Sequence, residues 1–532
     1  MITVSDVSIN FSGQNLFSHV DLQFKPGNCY GVIGANGAGK STFLRILSGD
    51  LEPSTGAVII DAKTRMSVLK QDHFAYEEFT VLDTVIQGNP RLYEVMKQKD
   101  ALYAKEDFSE EDGVLASDLE AEFAELNGWD AETDAGKLLQ GLGLSLDLLW
   151  EPMSALGEKE KVKILLAQAL FGRPAIILLD EPTNGLDAAS TRWLEDFLMD
   201  YEGTVIVVSH DRHFLNNVCT HIVDVDFNKI KIYVGNYDFW YESSQLIQRM
   251  MREQNRKNEE KIKELQSFIA RFSANKSKSR QATSRKKLIE KLSVEEMPAS
   301  SRRYPYVGFT MDREAGKDIL SVTDLTYTQN GKTLLDGITF RADKGDKIAF
   351  VGRNEVAITA LFDILMEKRV PDSGSFKWGV STSQSYFPKD NTAFFEGCDL
   401  TILQWLQQYS SDPHETYLRG FLGKMLFSGD DVLKPVKVLS GGEKVRCMLS
   451  RMMMFGANVI LLDQPTNHLD LESITAVNDG LKEFKGNVLF STYDHEMLQT
   501  VANRIIEITD DGRLIDKRMT YEEYLDWQAT KE

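Results

Sequence analysis

The chain has 532 residues, of which 42% are hydrophobic and 26% charged, and its formal net charge is −20. These values exclude a disordered chain, predict more than one globular domain at roughly 100–200 residues each, and argue against a wholesale nucleic-acid binder. Four scattered cysteines without a CxxC pair exclude a disulfide framework, and the absence of long apolar runs or of a signal-peptide layout predicts a cytoplasmic protein.

A phosphate-binding motif lies near the start of the chain. The segment GANGAGKS at 34–41 matches G-x-x-x-x-G-K-[ST] and stands between the apolar YGVI and the helix-like TFLRIL. This is the strand–loop–helix context that the motif requires. Lys40 is expected to reach the β- and γ-phosphates, and Ser41 to ligate Mg²⁺. Taken alone, such a segment could also be a glycine-rich turn without a ligand.

Two later apolar runs end in residues suited to ATP hydrolysis. The run IILLD is typical of a buried parallel strand, and its last residue, Asp180, is predicted to hold Mg²⁺ through water. Glu181 follows and is predicted to orient and polarise the attacking water. His210 ends the run VIVVSH, where it could contact the γ-phosphate. Each residue has a structural alternative when taken singly, but their spacing from Lys40 favours the functional interpretation.

The chain contains two copies of one domain. AIILLDEPTNGLD at 175–187 returns as NVILLDQPTNHLD at 458–470, and the loop segment near the N-terminus returns, altered, at 342–362. Such self-similarity over a whole domain predicts a duplication.

The first copy is longer than the second in one stretch. The distance from 71 to 156 is 85 residues, whereas the matching distance from 389 to 439 is 50. The 35 extra residues lie in a helix-rich, acidic insertion at about 89–135. Either a solvated helical face or an arm that contacts a partner would explain this composition.

A basic segment at about 242–304 joins the copies. Its apolar residues follow helical steps, and a second helix is predicted at about 281–292. From Arg249 to Lys291 there are 14 basic and five acidic residues, which gives +9 here and −29 elsewhere. A solubilising hairpin is the alternative, but a block of one sign favours polyanion binding. The candidates for RNA contact are Arg271, Lys276, Lys278, Arg280, Arg285, Lys286 and Lys287.

The second copy departs from the first at the matching positions. Its phosphate segment carries carboxylate and apolar side chains in place of two glycines and the lysine, and a glutamine that cannot act as a general base follows its acidic strand end. The substituted positions are Glu355, Ala357, Ile358, Lys389, Gln464 and Tyr493. The first copy in turn reads LGEKEK at 156–161 where the second reads LSGGEK at 439–444.

LSGGEK, DEPTN, SHDR and GANGAGKST are similar to the motifs of ATP-binding-cassette ATPases. The tandem arrangement, the NHLD motif, the segment YVGNYDFWY and the basic hairpin resemble the ABC-F family. The resemblance implies an α/β fold: two P-loop ATP-binding-cassette domains in tandem, joined by a basic α-helical hairpin linker. The implied domains are 1–241 with the arm at 89–135, the linker 242–304, and the degenerate domain 305–532. It also implies head-to-tail cassettes in which each signature completes the other's ATP site.

The resemblance further implies that the protein binds the ribosome near the E-site, with the linker reaching P-site tRNA and rRNA and the arm touching the ribosome. We expect a monomer that closes intramolecularly, with no membrane or DNA partner. The alternatives are an ATPase subunit that energises a separate membrane transporter and a DNA-directed ATPase. The second would usually carry long coiled coils or zinc modules, which the chain lacks.

One composite site keeps every expected residue. Its predicted catalytic residues are Lys40, Glu181 and His210, and its predicted Mg²⁺ ligands are Ser41, Gln71 and Asp180. The predicted ATP-binding residues are Gly34, Asn36, Gly37, Ala38, Gly39, Lys40, Ser41, Thr42, Gln71, Ser440, Gly441, Gly442 and Glu443. Phe11 is a candidate for stacking on adenine, with a place in the core as the alternative. Because all substitutions fall on the other composite site, we predict no hydrolysis there.

Overall fold

The computed structural model describes residues 1–11, 14–62, 64–70, 72, 74–105, 108–272, 302–352 and 354–530. The predicted second linker helix and all RNA-contact candidates beyond Arg271 lie outside these residues. The side chains of Arg271 and Phe11 and the whole of Gln71 also lie outside the description, so the roles predicted for them stay predictions.

The first half of the chain contains two sheets and a set of helices. The strands are β1 (Ile2–Phe11), β2 (Gln14–Phe24), β3 (Asn28–Ile33), β4 (Thr55–Ile60), β5 (Met66–Val68), β6 (Ile176–Asp180), β7 (Thr204–Val208), β8 (His221–Asp226) and β9 (Lys229–Val234). The α-helices are α1 (Lys40–Ser48), α2 (Val81–Ile86), α3 (Pro90–Tyr103), α4 (Glu110–Glu125), α5 (Ala131–Gly141), α6 (Glu158–Leu170), α7 (Ala188–Met199), α8 (Arg212–Val218) and α9 (Tyr237–Phe272). Short 3-10 segments lie at Gly128–Asp130, Leu146–Trp150 and Met153–Ala155.

The larger sheet has the order β5-β6-β7-β3-β8-β9 and is parallel except for β9, and the smaller antiparallel sheet has the order β2-β1-β4. Strand β6 is buried on both faces, as its continuous apolar sequence predicts. Ile177 and Leu179 join the core on the helical side, whereas Ile176 and Leu178 pack in the core shared with the smaller sheet. This alternation follows from the two-residue period of a strand.

The second half repeats this architecture. Its strands are β10 (Asp318–Gln329), β11 (Lys332–Asp343), β12 (Lys347–Val351), β13 (Ser373–Trp378), β14 (Gln384–Phe387), β15 (Val459–Asp463), β16 (Asn487–Ser491), β17 (Arg504–Ile508) and β18 (Leu514–Lys517). Its α-helices are α10 (Glu355–Leu365), α11 (Ile402–Gln407), α12 (Glu415–Lys424), α13 (Gly441–Phe455), α14 (Leu471–Glu483), α15 (His495–Val501) and α16 (Tyr521–Ala529). The 3-10 segments are Thr392–Phe394, Gly429–Leu433 and Val436–Val438.

The strand orders of the second half, β14-β15-β16-β12-β17-β18 and β11-β10-β13, match those of the first position by position. The predicted fold class, two α/β domains of one type in tandem, is therefore confirmed. In both halves the central strand of the large sheet ends at a turn that leads into a helix (β3 into α1, β12 into α10). The carboxyl ends of the parallel strands thus present the predicted site residues at one edge of each sheet.

The halves differ where the first copy is longer. Helices α3 and α4 stand between α2 and α5, whereas α11 is followed directly by α12. The pair is held together by ion pairs, Arg91 with Glu122 at 2.5 Å and Lys99 with Glu120 at 2.9 Å. Part of the acidic charge of this insertion is therefore used between its own two helices.

Helix α9 extends for 36 residues into the basic connecting segment. Within the part of the chain that the structure describes, no helix combines the length and the apolar character needed to cross a membrane.

Candidate ATP-binding site

The phosphate loop lies between the end of β3 and the start of α1. Gly37 and Gly39 have φ angles of +81° and +101°, a left-handed conformation that L side chains rarely adopt. No atom lies within 4 Å of the place where a Cβ of Gly37 would stand, so the loop is open on that side. Its backbone N–H groups and the N-terminus of α1 suit an anion.

Lys40 folds back over this loop. Its Nζ donates to the carbonyl oxygens of Gly34 at 2.8 Å and of Ala35 at 3.3 Å. Burial lowers the pKa of Lys40, and the carboxylates around it act in the opposite direction. The positive charge is thus placed at the mouth of the loop, where phosphate oxygens would meet it.

The carboxyl ends of β6 and β7 bring three predicted residues to the same edge. Ser41 and Asp180 are neighbours at this edge. Burial raises the pKa of Asp180, and Ser41 and the charge of Lys40 partly oppose that shift. The backbone N–H of His210 donates to Glu181 Oε2 at 3.3 Å, and His210 Nε2 lies 3.5 Å from Glu181 Oε1. Glu181 has a φ of +51°, a left-handed backbone conformation that residues other than glycine rarely adopt and that is enriched at functional sites.

Burial controls the charge of both residues in this pair. It raises the pKa of Glu181 to about 8 and lowers the pKa of His210 to about 3. In the nucleotide-free site burial therefore favours the neutral form of both side chains. Such strongly shifted groups in a cleft are typical of functional sites.

The signature of the second half faces this loop. Ser440 caps α13: its N–H and hydroxyl donate to Glu443 Oε2 at 2.8 Å. A Cβ added to Gly442 would stand 3.0 Å from the His468 carbonyl and 3.9 Å from Asn36 Nδ2 of the phosphate loop. The absence of side chains at Gly441 and Gly442 therefore keeps the helix N-terminus open toward the loop.

The structure thus brings the predicted loop, strand-end and signature residues into one composite site, and their individual roles stay predictions. This site and its counterpart line a single cleft of about 2060 Å³ between the two halves.

The described residues of the counterpart site differ in conformation from the first phosphate loop. Helix α10 begins at Glu355, at the position that Gly37 holds in the first half, whereas α1 begins three residues later in the matched sequence, at Lys40. The segment that would surround phosphate is the first turn of a helix. Ile358, at the lysine position, is buried with 3% of its surface exposed and belongs to the core.

Several substituted residues of this counterpart site contact one another. Lys389 Nζ donates to Glu355 Oε2 at 2.5 Å, and Lys159 Nζ of the first half lies 2.6 Å from Glu355 Oε1. The Lys159 ammonium also lies 3.4 Å from Tyr493 Oη. Gln464 has a φ of +53°, close to that of Glu181, so this substitution changes the side-chain chemistry within the same backbone geometry.

The sequence patterns missed two contacts between the halves. Arg302 binds Asp224 at 2.7 Å and Glu472 at 3.0 Å, and the rings of His213 and His495 stack with 3.8 Å between their centres. No motif marks Arg302, since it follows the basic block without belonging to its helical pattern. The two histidines lie near matching positions after β7 and β16. Their spacing predicts a contact only when the two halves are known to face each other.

Comparison with known proteins agrees with this geometry. A family model described as ABC transporter matches residues 17–184 and 335–467, and a second model with the same description matches 223–309. The ABC transporter ATP-binding protein YkpA of Bacillus subtilis (strain 168) is 62% identical over 99% of this chain and 97% of its own. The ATP-binding protein YbiT of Escherichia coli O157:H7 is 44% identical over 99% of both chains.

Among solved structures, the archaeal ribosome recycling factor aABCE1, in complex with the ribosomal stalk protein aP1, superposes with a TM-score of 0.63. It covers 99% of this chain and 92% of that one at 17% identity, which is a likeness of fold. Because the family model covers both phosphate segments and the relatives match nearly the whole chain, the protein belongs to the ABC transporter family, as an ATPase with two ATP-binding cassettes in tandem.

Proposed function

We propose that this ATPase is of the ABC-F type, which binds the ribosome near the E-site and modulates translation as ATP closes and opens its two cassettes. The observation that carries the proposal is the composition of the segment between the cassettes. This segment has 14 basic and only five acidic residues, in a chain whose net charge is −20. Counterion release makes such a block a binder of RNA phosphates. Its beginning lies on α9, which holds it at the end of the first cassette.

In this proposal the linker contacts rRNA and P-site tRNA, the helices α3 and α4 form an arm that touches the ribosome, and the protein acts as a cytoplasmic monomer. One of the solved structures that share the fold is that of a ribosome recycling factor, which supports a ribosomal role. The acidic cassettes would limit unspecific binding to RNA and leave the linker as the element that engages it.

Hydrolysis takes place at the composite site of the first phosphate loop and the second signature. Lys40 and the loop N–H groups bind the β- and γ-phosphates, and Ser440 and Gly442 approach the γ-phosphate from the other cassette. Glu181 orients the attacking water and His210 contacts the γ-phosphate.

The donor set beside the loop fits Mg²⁺. Ser41 and Asp180 bring a hydroxyl and a carboxylate next to each other, and both are oxygen ligands of the kind that this ion prefers. Gln71 is the third proposed ligand. When bound, Mg²⁺ would neutralise phosphate charge as the bond to the γ-phosphate breaks.

We further propose that the second composite site does not hydrolyse ATP. The helical turn at Glu355, the buried Ile358 and the amide of Gln464 support this, because they leave neither a phosphate cradle nor a general base. The division into domains at 1–241, 242–304 and 305–532 is part of the same proposal.

A second candidate function is that of an ATPase subunit that energises a separate membrane transporter. The matched family and the relative YkpA are both described by the words ABC transporter, which favours it. It would leave the basic linker without a role.

A sedimentation experiment with Glu181→Gln distinguishes the two. Removing the general base should slow hydrolysis by about 10²–10⁴-fold and trap a closed, ATP-bound state. We expect this variant to sediment with ribosomes in ATP, to hold one ATP per chain, and to be released without ATP. The double variant Lys40→Ala/Glu181→Gln should not be trapped. Sedimentation with membrane vesicles, or turnover at the wild-type rate, would contradict the proposed function.

A further inference from the structure

We propose that Lys159 and Glu355 are positioning residues for ATP binding at the intact site: their ion pair joins the cassettes across the second composite site and holds the signature of the second cassette over the intact ATP site. The inference rests on the proposed one-site mechanism. In addition, the Glu355 carboxylate takes the place of a nucleotide and closes the second site.

The ion network crosses the cleft between the cassettes. Glu355 Oε1 lies 2.6 Å from Lys159 Nζ of the first cassette, and Glu355 Oε2 accepts from Lys389 Nζ of its own cassette at 2.5 Å. The Glu355 side chain is only 7% exposed, whereas Lys159 is 53% exposed. The carboxylate is therefore removed from water and depends on its two cations, while Lys159 reaches it from the partly solvated side.

The three residues occupy positions at which the intact site would contact nucleotide. Glu355 stands where the first cassette has the loop glycine Gly37, and Lys159 stands where the second cassette has the signature glycine Gly442. Lys389 stands where the first cassette has Gln71. In the intact site an anionic phosphate would join the loop of one cassette to the signature of the other. In the second site the Glu355 carboxylate makes that connection.

The charges of the network compensate each other. A lone carboxylate at the start of α10 would be buried without a partner, and a lone ammonium at position 159 would face open solvent. Together they place one negative charge between two positive ones: Lys389 makes a charge-assisted hydrogen bond to the carboxylate, and Lys159 makes an ion pair with it. Lys159 is also 5.9 Å from the centre of the Tyr493 ring and 3.4 Å from its hydroxyl, so a fourth substituted position closes the same cluster.

The network can act on the intact site because both sites line one cleft. A contact that keeps the cassettes in register on one side raises the fraction of molecules in which Gly442 and Asn36 face each other on the other side. The apparent affinity for ATP scales with that fraction. Loss of the network should therefore weaken ATP binding more than it slows hydrolysis, since saturating ATP can itself close the cassettes.

Steady-state ATPase kinetics of the full chain test this inference. Lys159→Ala and Glu355→Gln should each raise KM for ATP about tenfold while kcat stays within about twofold of wild type. Lys159→Arg keeps the positive charge, so its KM should stay within about twofold of the wild-type value. The matched control is Lys137→Ala, which removes an exposed ion pair with Asp134 in the same cassette and should leave both constants unchanged.

An unchanged KM in Lys159→Ala and Glu355→Gln would overturn the inference, as would a fall in kcat alone, which is the result of fewer folded molecules. Failure of Lys159→Arg to recover KM would overturn the ionic explanation. Lys40→Ala separates the two proposals: if it retains wild-type turnover, the assignment of the hydrolytic site itself is wrong. If it is inactive while the Lys159 and Glu355 variants behave as wild type, only the present inference fails.

Discussion

The guanidinium of Arg302 lies 4.4 Å from the centre of the Trp240 ring, where the connecting segment meets both cassettes. The same side chain binds Asp224 of the first cassette at 2.7 Å and Glu472 of the second at 3.0 Å, and all these ionic groups are largely buried. Burial raises the pKa values of Asp224 and Glu472, and the charge of Arg302 opposes that shift. One planar cation therefore joins the end of the linker to both cassettes.

Arg302→Ala is expected to destabilise the protein by about 3 kcal/mol, because it leaves two buried carboxyl groups without their shared cation. Arg302→Lys should recover part of this, since a single ammonium cannot stack on the ring and span both carboxylates. The measurement is the midpoint of the first urea-induced transition. The neighbouring Arg303 is exposed, so Arg303→Ala should change stability by less than about 0.5 kcal/mol. If the two alanine variants changed stability equally, Arg302 would not be the cation that joins the two cassettes.

The raised pKa of Glu181 predicts that the stability of the nucleotide-free protein depends on pH. Burial raises its pKa from 4.5 to about 8, so the folded state binds this proton more tightly than the unfolded chain does. The stability that wild type derives from this carboxyl is therefore lost as pH rises from about 4.5 to about 8. Glu181→Gln should gain stability relative to wild type across that window, by up to about 4 kcal/mol.

The measurement for Glu181 is the difference in Tm between Glu181→Gln and wild type from pH 5 to pH 8. Gln464 offers the converse variant, because it occupies the matching position with nearly the same backbone and is 5% exposed. Gln464→Glu should lose stability with rising pH over the same window. A Tm difference that does not vary with pH would show that Glu181 titrates normally.

The sequence was sufficient for the local parts of the site. The loop around Lys40, the strand ending at Asp180 and the turn at Glu181 are specified by residues adjacent in the chain, and the duplication predicted the second sheet from the first. The helical start at Glu355 also follows from local chemistry, since loss of two glycines favours a helix and a carboxylate suits its first turn.

Contacts between distant residues were not predictable in the same way. Lys159 and Glu355 are far apart in the chain, and the family resemblance assigned both to the second composite site without predicting that their side chains pair. Their opposite charges become a pair only when the cassettes face each other head to tail. The stack of His213 on His495 and the ion pairs of Arg302 depend on the same arrangement, which no single segment of sequence encodes.

Ser440 is expected to serve both the helix and the ATP site. Its hydroxyl accepts from the Glu443 N–H at 3.4 Å, and loss of such a cap costs about 1 kcal/mol. In the proposed mechanism the same residue faces the γ-phosphate, so Ser440→Ala should also lower kcat/KM for ATP at least about tenfold.

Ser109 provides the matched control, because it caps α4 of the arm with the same pattern of bonds to Asp112. Ser109→Ala should lose a similar stability and retain wild-type ATPase activity. The comparison combines urea unfolding with steady-state kinetics. If the two alanine variants have equal activity, Ser440 acts only as a helix cap.

Restoring the missing lysine should not restore the second ATP site. Ile358 is 3% exposed and packs in the core of the second cassette, so Ile358→Lys forces a cation into apolar surroundings at a cost of a few kcal/mol. The segment before it would still be the first turn of α10, and Glu355 would still fill the place of a phosphate. In a Glu181→Gln background we expect the number of ATP molecules bound per chain to stay at one.

Equilibrium binding of labelled ATP measures this number, with Glu181→Gln alone as the reference. The matched test restores the loop as well, through Glu355→Gly and Ala357→Gly together with Ile358→Lys, because glycines at these positions permit the left-handed turns of the first loop. A second bound ATP in the triple substitution but not in Ile358→Lys would show that backbone conformation, more than the lysine charge, closes this site. Two bound ATP molecules in Ile358→Lys by itself would contradict that explanation, since the helical turn and Glu355 would then be no obstacle to the nucleotide.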